Sequence, residues 1–147
     1  MFVVTKEFKF EMSHVLSNYN GPCGNLHGHS YVCLITFSME DVDKETGMVC
    51  DFSKIKQLCN DIIFNDLDHC CAINTTSNDN FEIELHELLM KHNKRIYEFP
   101  FRTTAENMSR FIFEKINAAL KTLNVPYSCS KVQLYETVTG SATYEDK

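Results

Sequence analysis

Two runs of alternating apolar and polar residues lie near the N-terminus; one ends in histidine and the next begins with it. Nothing else in the chain constrains its fold as tightly. From Phe2 to His14, the residues Phe2, Val4, Phe8, Phe10, Met12 and His14 share one parity, and Glu7, Lys9 and Glu11 the other. Period two marks a half-buried strand, because successive side chains point to opposite faces of a sheet. The second run carries His27, His29, Tyr31, Cys33, Ile35 and Phe37 on one face. If the two strands pair antiparallel, His14 arrives beside His27 and His29, and three neutral imidazoles can share one metal ion. Three nitrogen ligands with no fourth protein ligand describe a zinc site left open for water or substrate. Burying three imidazoles among Phe, Tyr, Ile and Met is costly without partners, and a metal offsets that cost. A hydrogen-bonded surface patch is the competing reading.

The residues between the two runs, 18–25, hold Gly21-Pro22 and Gly24 and read as a loop. Cys23 sits in it, four residues before His27. A nearby dication favours the thiolate, which makes Cys23 a candidate reactive group. The other possibility is that its sulfur is the fourth zinc ligand and closes the site.

With 147 residues, 44% of them hydrophobic, the chain is long enough for one domain with a real core and too short for two. A formal net charge of −6 and scattered basic residues argue against nucleic-acid or membrane-surface partners. No opening segment resembles a signal peptide, and no stretch approaches the roughly 18 apolar residues of a membrane span. The 7 cysteines are odd in number and form no C-x-x-C pair, so a reducing cytoplasm is expected.

Further along, Asp51 or Ser53 can cap a helix striped by Ile55, Leu58, Ile62 and Ile63. Residues 65–80 read as irregular and polar. A weaker helix is expected over 81–93 and a short strand over 96–99. Thr103 with Glu106 three residues on has the form of a capping box. Behind it, Ala105, Met108, Ile112, Ile116, Ala119, Leu120 and Leu123 make the cleanest helical stripe in the chain. A last strand is expected over 129–138. The order β-β-α-α-β-α-β predicts an α+β domain over residues 1–147, with helices on one face of a mostly antiparallel sheet.

Three further groups draw notice. Asp68-His69 follows the first long helix, where such a pair commonly does no more than cap a helix end. Glu136 continues the apolar parity of Val132 and Leu134, so the alternation turns a carboxylate inward. It then needs a donor, either a protein group or the amidine-like edge of a ligand. For Glu106 the capping box is a sufficient local explanation.

Taken together, these segments resemble the 6-pyruvoyl-tetrahydropterin synthase / 6-carboxytetrahydropterin synthase family. Cys23-Gly24-Asn25-Leu26-His27-Gly28-His29-Ser30-Tyr31 resembles its metal and nucleophile motif, and Phe10-Glu11-Met12-Ser13-His14 its first-ligand strand. Thr46-Gly47-Met48-Val49-Cys50-Asp51-Phe52 resembles the turn into its first helix, and Leu67-Asp68-His69 its catalytic Leu-Asp-His. Thr104-Ala105-Glu106-Asn107 resembles the start of the second long helix, and Tyr135-Glu136-Thr137 the pterin-anchoring strand. The motifs are short, but their joint order is specific. The resemblance implies a tunnelling fold (T-fold): a four-stranded antiparallel sheet with two long helices, here with a helix-strand insertion at 81–99. It also implies a homohexamer, a dimer of trimers, with active sites at subunit interfaces.

The implied substrate is 7,8-dihydroneopterin triphosphate, with zinc on His14, His27 and His29. Cys23, Asp68, His69 and Glu136 would be the catalytic groups. Glu136 would also hold the pterin, with Thr104 and Glu106 as further substrate-binding residues. Lys9, Arg102, Arg110 and Lys131 are candidates for the triphosphate. The C-x-x-x-H-G-H spacing is similar to the branch that makes 6-carboxy-5,6,7,8-tetrahydropterin and acetaldehyde for queuosine and 7-deazapurine synthesis. The alternatives are the 6-pyruvoyl product of tetrahydrobiopterin synthesis and a non-catalytic pterin-binding protein. Gly24-Asn25-Leu26 contains no glutamate, against a third branch that cleaves dihydroneopterin. An unrelated zinc hydrolase finds no H-E-x-x-H support.

Overall fold

The protein is described by a computed structural model over residues 1–146; the domain expected over 1–147 ends on Lys147, outside the described residues. Strand β1 (Phe2–His14) pairs antiparallel with β2 (His27–Met39), and both carry the expected faces. Phe8, Phe10, Met12 and His14 are buried on β1, and Tyr31, Cys33, Ile35 and Phe37 on β2. Helix α1 (Phe52–Cys59) starts at Asp51, whose carboxylate accepts the amides of Ser53 and Lys54, so Asp51 is the cap and not Ser53. It runs on through a π-helical turn, Asn60–Phe64, and a final turn, Asn65–Leu67. The wider turn brings Phe64 onto Phe8 (ring centroids 4.6 Å apart) and against Phe10 (5.5 Å).

The sheet has six strands rather than the four expected. Residues 65–80 are not all irregular: Cys70–Asn74 form β3, parallel to β1, and every residue of it is buried. A strand covered on both faces has no period-two signal, which is why its sequence does not announce it. Helix α2 (Asn80–Lys91) then crosses over to β4 (Ile96–Phe99), parallel to β3. The expected insertion is therefore one arm of a β-α-β unit that widens the sheet. The imperfect stripe of α2 also finds its reason. The buried residue of this helix is Glu82, which accepts from the Asn74 amide and the Ser17 hydroxyl, while Ile83 and Leu88 are exposed.

Helix α3 (Ala105–Leu123) buries Ala105, Met108, Ile112, Ile116 and Leu120 along the predicted stripe. Full burial of such a side chain contributes about 1.5–3 kcal/mol. Its cap is Thr104, whose hydroxyl accepts the Asn107 amide. The capping box on Thr103 is thus displaced by one residue. Strand β5 (Ser128–Thr137) lies beside β2, and β6 (Gly140–Glu145), absent from the sequence expectation, closes a hairpin on it. Strand β6 is largely exposed, small and polar, so its alternation is faint. The final order is β4-β3-β1-β2-β5-β6, with α1 and α3 against the core face. None of the helices among the described residues is long and apolar enough to cross a membrane.

Candidate active site

The β1–β2 register sets His14 directly opposite His27, and Met12 opposite His29. His29 is therefore the diagonal neighbour of His14 on the same face. One ligand atom from each of the three rings can be chosen so that all lie within 4.8 Å of one another. The rings are oriented by their other nitrogens. His14 Nδ1 lies 2.8 Å from the Thr103 carbonyl and 3.2 Å from its hydroxyl, and His27 Nδ1 lies 2.7 Å from the Asn25 carbonyl. Carbonyls only accept, so both Nδ1 atoms carry the proton and both Nε2 atoms present lone pairs.

Those two Nε2 atoms lie 3.2 Å apart. Two lone pairs at that distance repel unless a proton or a cation stands between them. His29 Nε2 is buried and has no hydrogen-bond partner. An orphaned imidazole nitrogen beside two facing lone pairs, each ring fixed from behind by a carbonyl, fits a divalent metal such as zinc.

Burial holds the His14 pKa down at about 4, from an ordinary 6.5, with smaller contributions from the neighbouring His27 and His29. The imidazole is thus neutral and able to ligate at neutral pH. The shift carries a stability consequence for metal-free protein. Between pH 6.5 and 4 the unfolded chain takes up a proton that the folded chain refuses, so stability falls as pH falls. The full loss from His14 is about 3 kcal/mol. His29, also shifted down by burial, acts in the same direction, and Glu136, shifted up, partly opposes it. Urea midpoints of metal-free protein should drop steadily from pH 7 to pH 4; a flat profile would show that His14 is not buried as a neutral ring.

Cys23 lies on a 3-10 turn, Pro22–Gly24, and is partly exposed, whereas the other six cysteines are buried. Its carbonyl accepts the Leu16 amide at 2.9 Å, which ties this loop to the segment just after His14. A side chain at Gly24 would place its Cβ 2.3 Å from the Tyr19 carbonyl, so the turn requires glycine there. The thiol is not part of the three-imidazole cluster. That geometry favours the open site over the closed one.

Glu136 does turn inward: its Oε1 lies 3.8 Å from His14 Nε2, and its side chain is half-buried. Burial and then the nearby Glu106 carboxylate push its pKa up, against the pull of His27. Thr104 and Glu106 stand at the start of α3, next to Thr103, and the Glu106 carboxylate is the one that acts on Glu136. Two residues given no role in the site above also belong here. Thr103, fully buried, holds His14. Tyr31, on the His27–His29 parity, stands 5.4 Å from the His29 ring with its hydroxyl buried and unpartnered.

Asp68 and His69 form a pair of their own, and His69 lines a cleft with Glu11, Ser13, Gly28, His29 and Ser30. Asp68 Oδ1 accepts the Glu11 amide at 2.9 Å and lies 3.0 Å from His69 Nδ1, and both side chains are substantially exposed. The Glu11 amide holds the Asp68 carboxyl below its usual range. Among the described residues no hydrogen bond or ion pair joins the two to the imidazoles or to Cys23. Of the basic candidates, Lys9 pairs with Glu7, Arg102 donates to the Ser17 carbonyl and Arg110 to Asn107.

The chain as a whole is similar to known proteins. A family model described as 6-pyruvoyl tetrahydropterin synthase matches residues 3–147. The 6-carboxy-5,6,7,8-tetrahydropterin synthase of Haemophilus influenzae is 34% identical over 148 residues, covering 99% of this chain and 100% of that protein. That of Synechocystis is 31% identical, covering 98% of this chain and 93% of its own. Among solved structures, the Caenorhabditis elegans 6-pyruvoyl tetrahydropterin synthase aligns with a TM-score of 0.66 at 23% identity, over 100% of this chain and 98% of that one. An uncharacterized protein from Wolinella succinogenes aligns at 0.79 with 19% identity, over 99% and 98%. These two bear on the fold alone. Since the family model spans nearly every residue and full-length relatives exceed 30% identity, the chain belongs to the 6-pyruvoyl tetrahydropterin synthase family, a family of lyases.

Proposed function

We propose that the chain is a zinc-dependent 6-carboxy-5,6,7,8-tetrahydropterin synthase acting in queuosine and 7-deazapurine formation. It would convert 7,8-dihydroneopterin triphosphate and release acetaldehyde and triphosphate. The observation that carries this reading is the convergence of His14, His27 and His29, two of them fixed from behind by carbonyls. The relatives from Haemophilus influenzae and Synechocystis, which bear that enzyme's name, support the choice of product.

Zinc held by the three imidazoles would supply Lewis acidity toward the hydroxyls of the substrate side chain. Cys23, as thiolate on its turn beside this corner, accepts and returns the carbon-bound proton. Asp68 Oδ1 accepts His69 Nδ1–H, which leaves His69 Nε2 to take up or deliver a proton. Glu136 orients the pterin by accepting two parallel hydrogen bonds from its aminopyrimidinone edge, with Thr104 and Glu106 beside it. A neighbouring subunit of a hexamer, built as a dimer of trimers, brings its own Asp68–His69 pair to this site. The sheet leaves β4 and β6 as edges that such an assembly would pair. The reaction needs no nucleic-acid or membrane partner, and a cytoplasmic location suits a chain rich in free cysteines.

Zinc-loaded protein incubated with 7,8-dihydroneopterin triphosphate should yield 6-carboxytetrahydropterin and acetaldehyde, read by mass spectrometry. A 6-pyruvoyl product would move the chain to the other branch. Unchanged substrate, with the protein binding pterin, would make it a non-catalytic member.

A further inference from the structure

We propose that Arg95, immediately before β4, is the positioning residue for Asp68 and His69, so that the β3–α2–β4 arm serves the reaction. The inference rests on the relay role given to that pair above. The pair occupies a difficult piece of backbone. Helix α1 ends at Leu67, Asp68 turns extended, and His69 takes a φ of 61°. That left-handed conformation usually belongs to glycine at a helix end, and a non-glycine residue persists there only when its surroundings over-determine it.

The surroundings consist of two sets of contacts. From β1, the Glu11 amide donates to Asp68 Oδ1 at 2.9 Å, and the Glu11 carbonyl accepts the His69 amide at 2.6 Å. From the arm, Arg95 Nη2 donates to the carbonyls of Asn65 at 2.7 Å and Asp68 at 3.1 Å, with the Asp66 carbonyl at 3.4 Å. These are carbonyls that a helix terminus leaves without partners, at the end of the helix where the backbone dipole favours a cation. All three contacts fall on the one Nη2 atom, whose two hydrogens reach the two nearer carbonyls. Arg95 is itself fixed, because its carbonyl accepts the Cys71 amide at 3.0 Å in the parallel pairing of β3 and β4. No ion pair holds the guanidinium among the described residues. Its role is to clamp a helix end whose next residue is His69.

The test compares zinc-loaded wild type, Arg95→Ala, Arg95→Lys, His69→Ala and the Arg95→Ala/His69→Ala double variant, with 7,8-dihydroneopterin triphosphate as substrate. Arg95→Ala should lower kcat about tenfold while KM stays within about twofold, and Arg95→Lys should fall between it and wild type. In the His69→Ala background the same change should cost nothing further. Independently of activity, the His69 amide should exchange its hydrogen about tenfold faster in Arg95→Ala. Wild-type kcat and exchange in Arg95→Ala would overturn the inference, as would an equal loss in both backgrounds. Wild-type turnover by His69→Ala would instead overturn the relay itself.

Discussion

Replacing His29 by alanine should leave the purified chain without stoichiometric zinc and lower turnover of 7,8-dihydroneopterin triphosphate by about a thousandfold. Among the described residues three imidazoles form the cluster, with no sulfur or carboxylate in it, so removal of one leaves two ligands. Altering a group that merely orients a ligand already costs about 10–100-fold in metal affinity, and loss of a ligand costs more. His29 is also the safest of the three to remove. His14 is fully buried and holds Thr103, so its truncation would leave a buried carbonyl and hydroxyl unpaired. His29 makes no hydrogen bond through its buried Nε2, so alanine strands no partner there. Metal content by plasma mass spectrometry, with a melting curve of the metal-free variant, separates ligand loss from unfolding. A His29→Ala protein that keeps one tight zinc per chain would remove the imidazole cluster from the mechanism.

Much of this site is legible along the chain because it is written in strand parity. His14, His27 and His29 fall on the core-facing parity of two alternating strands, and an antiparallel pairing then brings them together. Glu136 is legible for the same reason, since a carboxylate on the Val132–Leu134 parity has to face inward. Strand β3 escapes because burial on both faces erases alternation, and β6 because its hairpin is small and polar. Thr103 escapes for a different reason. Local sequence offers two adjacent threonines as caps, and only the tertiary contact with His14 decides that Thr104 starts the helix and Thr103 supports the ligand. The position of Asp68 and His69 is likewise tertiary. It depends on where α1 ends against Glu11, which no periodicity encodes.

Cys23→Ala should keep its zinc and lose about a thousandfold in kcat, the reverse dissociation from that expected at His29. A side chain that moves a proton in the transition state contributes typically 10²–10⁴-fold, and alanine offers no substitute for the thiolate. The fold should survive. Cys23 is partly exposed on a three-residue turn whose backbone contacts, the Leu16 amide on its own carbonyl among them, do not involve the sulfur. Two measurements decide between a proton carrier and a fourth ligand. Cobalt-substituted wild type should lack the near-ultraviolet charge-transfer band of a bound thiolate, and Cys23→Ala should bind cobalt and zinc as wild type does. A thiolate band, or loss of metal from Cys23→Ala, would place the sulfur on the metal. The site would then be closed by four protein ligands, which holds a fold together but leaves no position for a substrate hydroxyl.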